Sequence, residues 1–189
     1  PLKAISAWLP PQTTQDFDLY TNSLSSPSEK SNVAKKYAGL FEAPHNLDAF
    51  FDYEEGMAYA KSVNKPVLID FTGHSCVNCR KMEASVWSDP EVLNILKKDY
   101  VLISLYVDDK TALPETEQYT STFSGKKVKT LGNKWSDFQA SKFKVNSQPY
   151  YVIVNDKEEL LTKPEAFNLD ISNYIRFLNE GKSNYQNKK

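Results

Sequence analysis

Cys76 and Cys79 are the only two cysteines in this 189-residue chain, and they stand three residues apart. The nucleophile of disulfide exchange is the thiolate, and an ordinary cysteine thiol titrates at about 8.5. Cys76 falls just ahead of a predicted helix, whose free N–H groups and dipole favour an anion. Cys79 lies one turn further in, on the same side, within reach of a mixed disulfide formed at Cys76. The spacing therefore predicts an attacking thiol at Cys76 and a sheltered, resolving thiol at Cys79. Asp70 ends an otherwise apolar run six residues earlier, where a carboxylate is expensive without a task. Buried behind the pair, its pKa would be raised and it could take the proton from Cys79. Gln148-Pro149 heads a later apolar run, and proline cannot donate a ladder hydrogen bond. If that peptide bond is cis, the backbone of Gln148 faces outward beside the cysteines and can pair with an extended substrate segment.

Other readings of the same residues stand beside these. A Cys-x-x-Cys is often half of a zinc site. Here no second pair exists, and the only histidines are His45 and His74. Two inert core thiols are another reading, and Asp70 as a plain edge or cap residue a third. His74 reads either as a cation tuning Cys76 or as a solvent-facing loop histidine.

The surrounding elements must place these groups. Asn46 is expected to cap a helix using Leu47, Phe50, Phe51, Met57 and Ala58, ending before Asn64-Lys65-Pro66. Residues 66–71 and 100–107 are short apolar runs, the mark of strands buried on both faces. A helical stretch from Val77 breaks at Ser88-Asp89 and restarts at Pro90, which suits a first turn. Residues 108–133 form a polar insertion, with a hairpin expected inside it. Trp135, Phe138 and Phe143 mark a helix, 150–154 a third strand, and Glu159–Thr162 a short partner strand. Asp170 caps a last amphipathic helix over Ile171, Tyr174, Ile175 and Leu178, with Gly181 and a polar tail ending it. This order predicts an α/β fold, a central mixed sheet flanked by helices, with the cysteines at a strand–helix junction. Residues 1–36, with Pro10-Pro11 and a Ser/Thr-rich run, read as an extended leader or linker. Trp8, Phe17, Leu19 and Tyr20 could pin it partly onto the globular domain of residues 37–189.

The 23 basic and 24 acidic residues nearly cancel, which removes the electrostatic case for nucleic acid or an anionic membrane. Lys126, Lys127, Lys129 and Lys134 are a local exception, read as a solvated loop. No run approaches the roughly 20 apolar residues of a spanning helix, and no signal-peptide pattern is present. The chain opens on Pro1, as a piece cut from something longer would.

Four segments carry a family resemblance: Lys65–Phe71, Cys76–Glu83, Val86–Val92 and Gln148–Val154. Through them the chain resembles the thioredoxin superfamily and, more narrowly, the C-terminal periplasmic domains of DsbD-type membrane electron transporters, over about residues 45–180. The resemblance implies a thioredoxin-like fold and a protein-disulfide reductase in the periplasm, the soluble domain of an inner-membrane protein. It implies a relay without cofactor beyond the redox-active disulfide. Electrons would come from the protein's own membrane-embedded domain and pass to its N-terminal domain, which reduces isomerases and cytochrome c maturation factors. It also makes Cys76 the attacker, Cys79 the resolver, Asp70 the buried acid and Pro149 a cis-proline. Gln148, Ser75, Val77 and Asn78 would frame the substrate. Ser75 stands where thioredoxin has tryptophan, Val77-Asn78 where it has Gly-Pro, and the 108–133 insertion is longer than the family pattern. An oxidase or isomerase of the same fold is the nearest alternative; a non-catalytic binding module is the other.

Overall fold

The computed structural model describes residues 34–188. The leader expected over 1–36 lies, but for its last three residues, outside the described residues, as do Trp8, Phe17, Leu19 and Tyr20.

Strand β1 (Ala49–Phe50) is followed by helix α1 (Tyr53–Val63), strand β2 (Val67–Thr72) and helix α2 (Val77–Met82). A π turn, Glu83–Trp87, leads to α3 (Pro90–Asp99) and β3 (Val101–Tyr106). Next come the short strands β4 (Tyr119–Thr120) and β5 (Lys127–Val128), helix α4 (Leu131–Phe143), β6 (Tyr150–Val154) and α5 (Ile171–Asn187). The main sheet has the order β1-β3-β2-β6. β1 and β2 run parallel to β3, and β6 runs antiparallel to β2. β4 and β5 form the hairpin expected in the insertion.

Every residue of β2 and β3 is buried, and the two-residue period of a strand divides them between two cores. Leu68, Leu102, Tyr151 and Ile153 pack with Met82, Val86, Trp87, Val92, Leu96, Tyr174 and Leu178. Val67, Ile69, Phe71, Ile103, Leu105 and Val152 pack with Tyr53, Ala60 and Trp135, with Phe138 and Phe143 against them. Helices α2, α3 and α5 thus cover one face, and α1 and α4 the other. Each fully buried Leu, Val or Ile contributes roughly 1.5–3 kcal/mol. Asp70 and Ser104 belong by alternation to the α2 face.

Three expectations need correction. Asn46 does not cap α1. It sits at positive φ at the end of a short 3₁₀ turn, and Asp52 is the cap, accepting from the Glu55 amide. The helix-like spacing of Leu47, Phe50 and Phe51 is overruled because Ala49 and Phe50 hydrogen-bond beside β3. Glu159–Thr162 forms no strand. It makes only isolated bridges to β6, through Leu160 and beyond it through Glu165, around a turn with Glu158 at positive φ. Gly181 does not end the last helix. It lies inside α5, where a Cβ would come within 2.6 Å of Ile153 Cδ1 and 2.7 Å of the Tyr100 hydroxyl, so glycine there lets helix and sheet close up. Asp170 caps that helix as expected, accepting from the Asn173 amide at 3.1 Å, and Asp89 caps α3 ahead of Pro90.

The root of the insertion is tightly built. Gly132 donates to the Asp109 carbonyl at 3.1 Å, and a Cβ on Gly132 would stand 2.5 Å from the Asp109 amide nitrogen. The obstructing atoms are main chain and cannot swing away. Gly132→Ala is therefore expected to destabilise by about 1–3 kcal/mol, despite alanine's better helix propensity. An unchanged urea midpoint would contradict that.

Candidate active site

Cys76 and Cys79 are joined by a disulfide with their Cα atoms 5.2 Å apart. Cys76 is the N-cap of α2, and the Cys79 amide donates to its sulfur at 3.2 Å. That N–H already points where a Cys76 thiolate would carry its charge. Cys76 is half-buried, whereas Cys79 is 1% exposed. One cysteine of the pair is open to solvent and the other is not. Ser75, Val77 and Asn78 are exposed around Cys76, and among the described residues Val77 is the most exposed large apolar one.

Asp70 lies within β2, opposite Ser104 of β3 and Tyr151 of β6, rather than at the strand's end. It is buried, and the Ser104 hydroxyl donates to its Oδ2 at 3.3 Å. Burial, then the charge of Glu83, raises it to about 8; Arg80 and the Ser104 hydrogen bond oppose the rise. Glu83 is a second buried acid, lifted by burial to about 7 against the pull of Arg80, with which it pairs at 2.9 Å. It stands four residues after Cys79, on the same helix face, and its charge reaches Asp70. The sequence reading missed Glu83. Its signal was the four-residue offset from Cys79, invisible as function until burial and Asp70 are placed beside it. Arg80 also donates to Thr72 Oγ1 at 3.1 Å and to the Gly73 carbonyl at 3.4 Å.

The Gln148–Pro149 peptide bond is cis. Because Phe71 pairs with Tyr150, the antiparallel register sets Pro149 opposite Thr72, at the strand end from which the cysteine loop departs. Gln148 turns its side chain inward, donating to Gln139 Oε1 at 2.8 Å, while Gln139 donates to the Ser147 carbonyl at 2.9 Å. The side chain thus braces the loop and leaves the backbone as the group available at its rim.

His74 faces solvent, but it is tethered rather than free. Its Nε2 lies 2.9 Å from Asp109 Oδ2, and its ring packs on Tyr106 at 4.7 Å and on Phe41 at 5.8 Å. Asp109 is held below the usual carboxylate range: burial pushes it up, but hydrogen bonds from His74 and Thr111 more than offset that. The other histidine, His45, contacts the Glu83 carbonyl at 2.8 Å. Among the described residues, no group of three His, Cys, Asp or Glu side chains is gathered as metal ligands. Of the lysine cluster, Lys134 is drawn to Asp52 and Glu54, while Lys126, Lys127 and Lys129 are exposed.

Residues 46–129 match the family model described as thioredoxin-like, somewhat under half of the chain. Among solved structures, the chain is similar to a protein described as DsbH oxidoreductase: 16% identity, 75% of this chain and 87% of that one, TM-score 0.52. It is also similar to a thioredoxin from Thermus thermophilus: 21% identity, 70% and 85% coverage, TM-score 0.50. The reduced C-terminal domain of DsbD from Neisseria meningitidis matches at 15% identity, 68% and 92% coverage, TM-score 0.45. A curated relative, UBX domain-containing protein 2 of Schizosaccharomyces pombe, is 20% identical over 93 residues, 49% of this chain. The chain spans about a fifth of that protein's length, 22%. The fold is thioredoxin-like: a mixed central sheet flanked by helices. Among the described residues, no helix is long and apolar enough to cross a membrane.

Proposed function

We propose that this chain is a thiol–disulfide oxidoreductase domain that works as a reducing relay through Cys76 and Cys79. The observation that carries it is the asymmetry of the pair: Cys76 at the helix mouth and half-open, Cys79 enclosed. The buried acids Asp70 and Glu83, the latter one turn on from Cys79, supply the proton acceptor in this reading.

The reduced pair acts in two displacements. Cys76 thiolate attacks one sulfur of a partner disulfide, breaking its S–S bond and releasing the partner's other sulfur as thiolate. Cys79 then gives its proton to the Asp70–Glu83 pair and attacks Cys76 Sγ, which frees the partner as a dithiol. The Cys76–Cys79 disulfide re-forms, and two electrons have passed to the partner. The reverse sequence, with a dithiol donor, recharges the domain. No cofactor enters the electron count. The Gln148–Pro149 edge, with Ser75, Val77 and Asn78, receives the extended segment around the partner's cysteine.

The segments Cys76–Glu83, Val86–Val92 and Gln148–Val154 further support a DsbD-type assignment. In that setting the chain is the periplasmic C-terminal domain of an inner-membrane protein. Its donor is the membrane-embedded domain, and its acceptor the N-terminal domain. The direction of flow is tested by equilibrating the purified chain in glutathione buffers and counting free thiols. A potential near the thioredoxin value of about −270 mV fits the reductant, and one near −120 mV makes the chain an oxidase instead. A pair that never cycles between dithiol and disulfide ends both readings.

A further inference from the structure

The loop between β2 and Cys76 is gripped from a second strand. The Val107 amide donates to the Thr72 carbonyl at 2.9 Å, so the chain leaving β3 runs beside the chain leaving β2. The next residue, Asp108, spans the gap. Its Oδ1 accepts from the His74 amide at 2.8 Å and its Oδ2 from the Ser75 amide at 2.9 Å. Gly73 makes room for this, because a Cβ there would stand 2.9 Å from the Asp108 carboxyl carbon. Asp109 holds the same loop by the His74 ring, and its own carboxylate is anchored by the Thr111 amide at 2.8 Å. Arg80 donates to the Gly73 carbonyl of the same loop at 3.4 Å.

We propose that Asp108 is a positioning residue that fixes the loop ahead of Cys76 and keeps the Cys76–Cys79 pair reducing. This rests on the redox reading of the pair. The amide N–H groups of His74 and Ser75, the two residues ahead of Cys76, are committed to the carboxylate, so they cannot turn toward a Cys76 thiolate. The carboxylate also sets a negative charge on the amide of Ser75, the residue before Cys76, and a like charge so placed disfavours an anion at Cys76. Both effects disfavour the thiolate, and with it the reduced state. A reduced form that is stabilised makes a stronger oxidant, and Asp108 works in the opposite direction.

The test compares wild type, Asp108→Asn and Gly73→Ala. Each is brought to equilibrium with reduced and oxidised glutathione, in which the disulfide plus two glutathione thiols give the dithiol plus glutathione disulfide. Asp108→Asn removes the charge and one of the two acceptors. It is expected to favour the dithiol about tenfold, which is about 30 mV for a two-electron couple. Alkylation of Cys76 by iodoacetamide at pH 7 should quicken in parallel. Gly73→Ala pushes the carboxylate off the amides while keeping its charge, and should shift the constant the same way by a smaller factor. It also decides the matter if Asp108→Asn fails to fold. Constants within twofold of wild type in the folded variants overturn the proposal, even if the unfolding midpoint falls, because that marks a purely structural contact. So does a shift toward the disulfide. A wild-type pair that never equilibrates overturns the functional reading and this proposal with it; a wild-type pair that cycles while both variants match it overturns the proposal alone.

Discussion

Cys76→Ser is expected to abolish reduction of a protein disulfide such as insulin, to below about a thousandth of the wild-type rate. A serine hydroxyl in the same place cannot form the mixed disulfide through which exchange proceeds. Cys79→Ala is expected to fail differently. Cys76 remains, capped by the residue-79 amide, so the first displacement goes ahead. The second has no attacking sulfur, and the partner stays covalently attached. Non-reducing gels of Cys79→Ala mixed with substrate should therefore show a new band that dithiothreitol dissolves, and Cys76→Ser should show none. The difference follows from exposure: Cys79 is enclosed, so a partner's sulfur has no path to it. Trapping in Cys76→Ser, at Cys79, would reverse the assigned roles. Full function retained in Cys76→Ser would leave only the binding-module reading.

How far such an arrangement can be read from a chain depends on whether the signal is local. The buried runs at 66–71, 100–107 and 150–154 became β2, β3 and β6 because continuous Val, Leu and Ile admit one environment, a sheet covered on both faces. Asp89-Pro90 and Asp170 announced the starts of α3 and α5 because a cap is a contact between near neighbours. The short strand β1 was not legible. Leu47, Phe50 and Phe51 have helical spacing, and only pairing with β3, some 50 residues away, draws Ala49 and Phe50 into the sheet. The site divides in the same manner. The cysteine spacing and the oddity of a carboxylate in an apolar strand are visible in one dimension. That Glu83 is buried with Asp70, that His74 is tied to Asp109, and that Asp108 holds two amides 33 and 34 residues back are products of sheet register. An ordinary acidic residue after a strand gives no sign of them.

If Asp70 and Glu83 handle the Cys79 proton as proposed, they should set the pH dependence of the second displacement. Asp70 is raised to about 8 and Glu83 to about 7, so near neutral pH the pair retains about one proton. When the domain reduces a partner, Cys79 must lose its proton, and an ionised carboxylate is the acceptor. The rate of resolution should then climb through pH 7 to 8 and level off above. When a donor dithiol recharges the domain, the Cys79 sulfur leaves as thiolate and needs a proton, so that direction should slow above about pH 8. Asp70→Asn can neither take nor give this proton. Resolution is expected to fall about 100-fold, at the lower end of what a positioned acid or base supplies, with the upper limb of the profile lost. Glu83→Gln should fall less and shift the remaining limb downward, because it removes the charge that helps raise Asp70. Stability must move the other way. A carboxyl whose folded pKa lies above its unfolded value binds more protons when folded, so its burden grows as pH rises from about 4 toward 8. Asp70→Asn should accordingly be more stable than wild type at pH 8, by up to a few kcal/mol, with the gap closing toward pH 4. Stopped-flow resolution of the mixed disulfide, alongside urea unfolding at the two pH values, reads both. A variant that is slower and also less stable at pH 8 would mean Asp70 serves the fold rather than the proton.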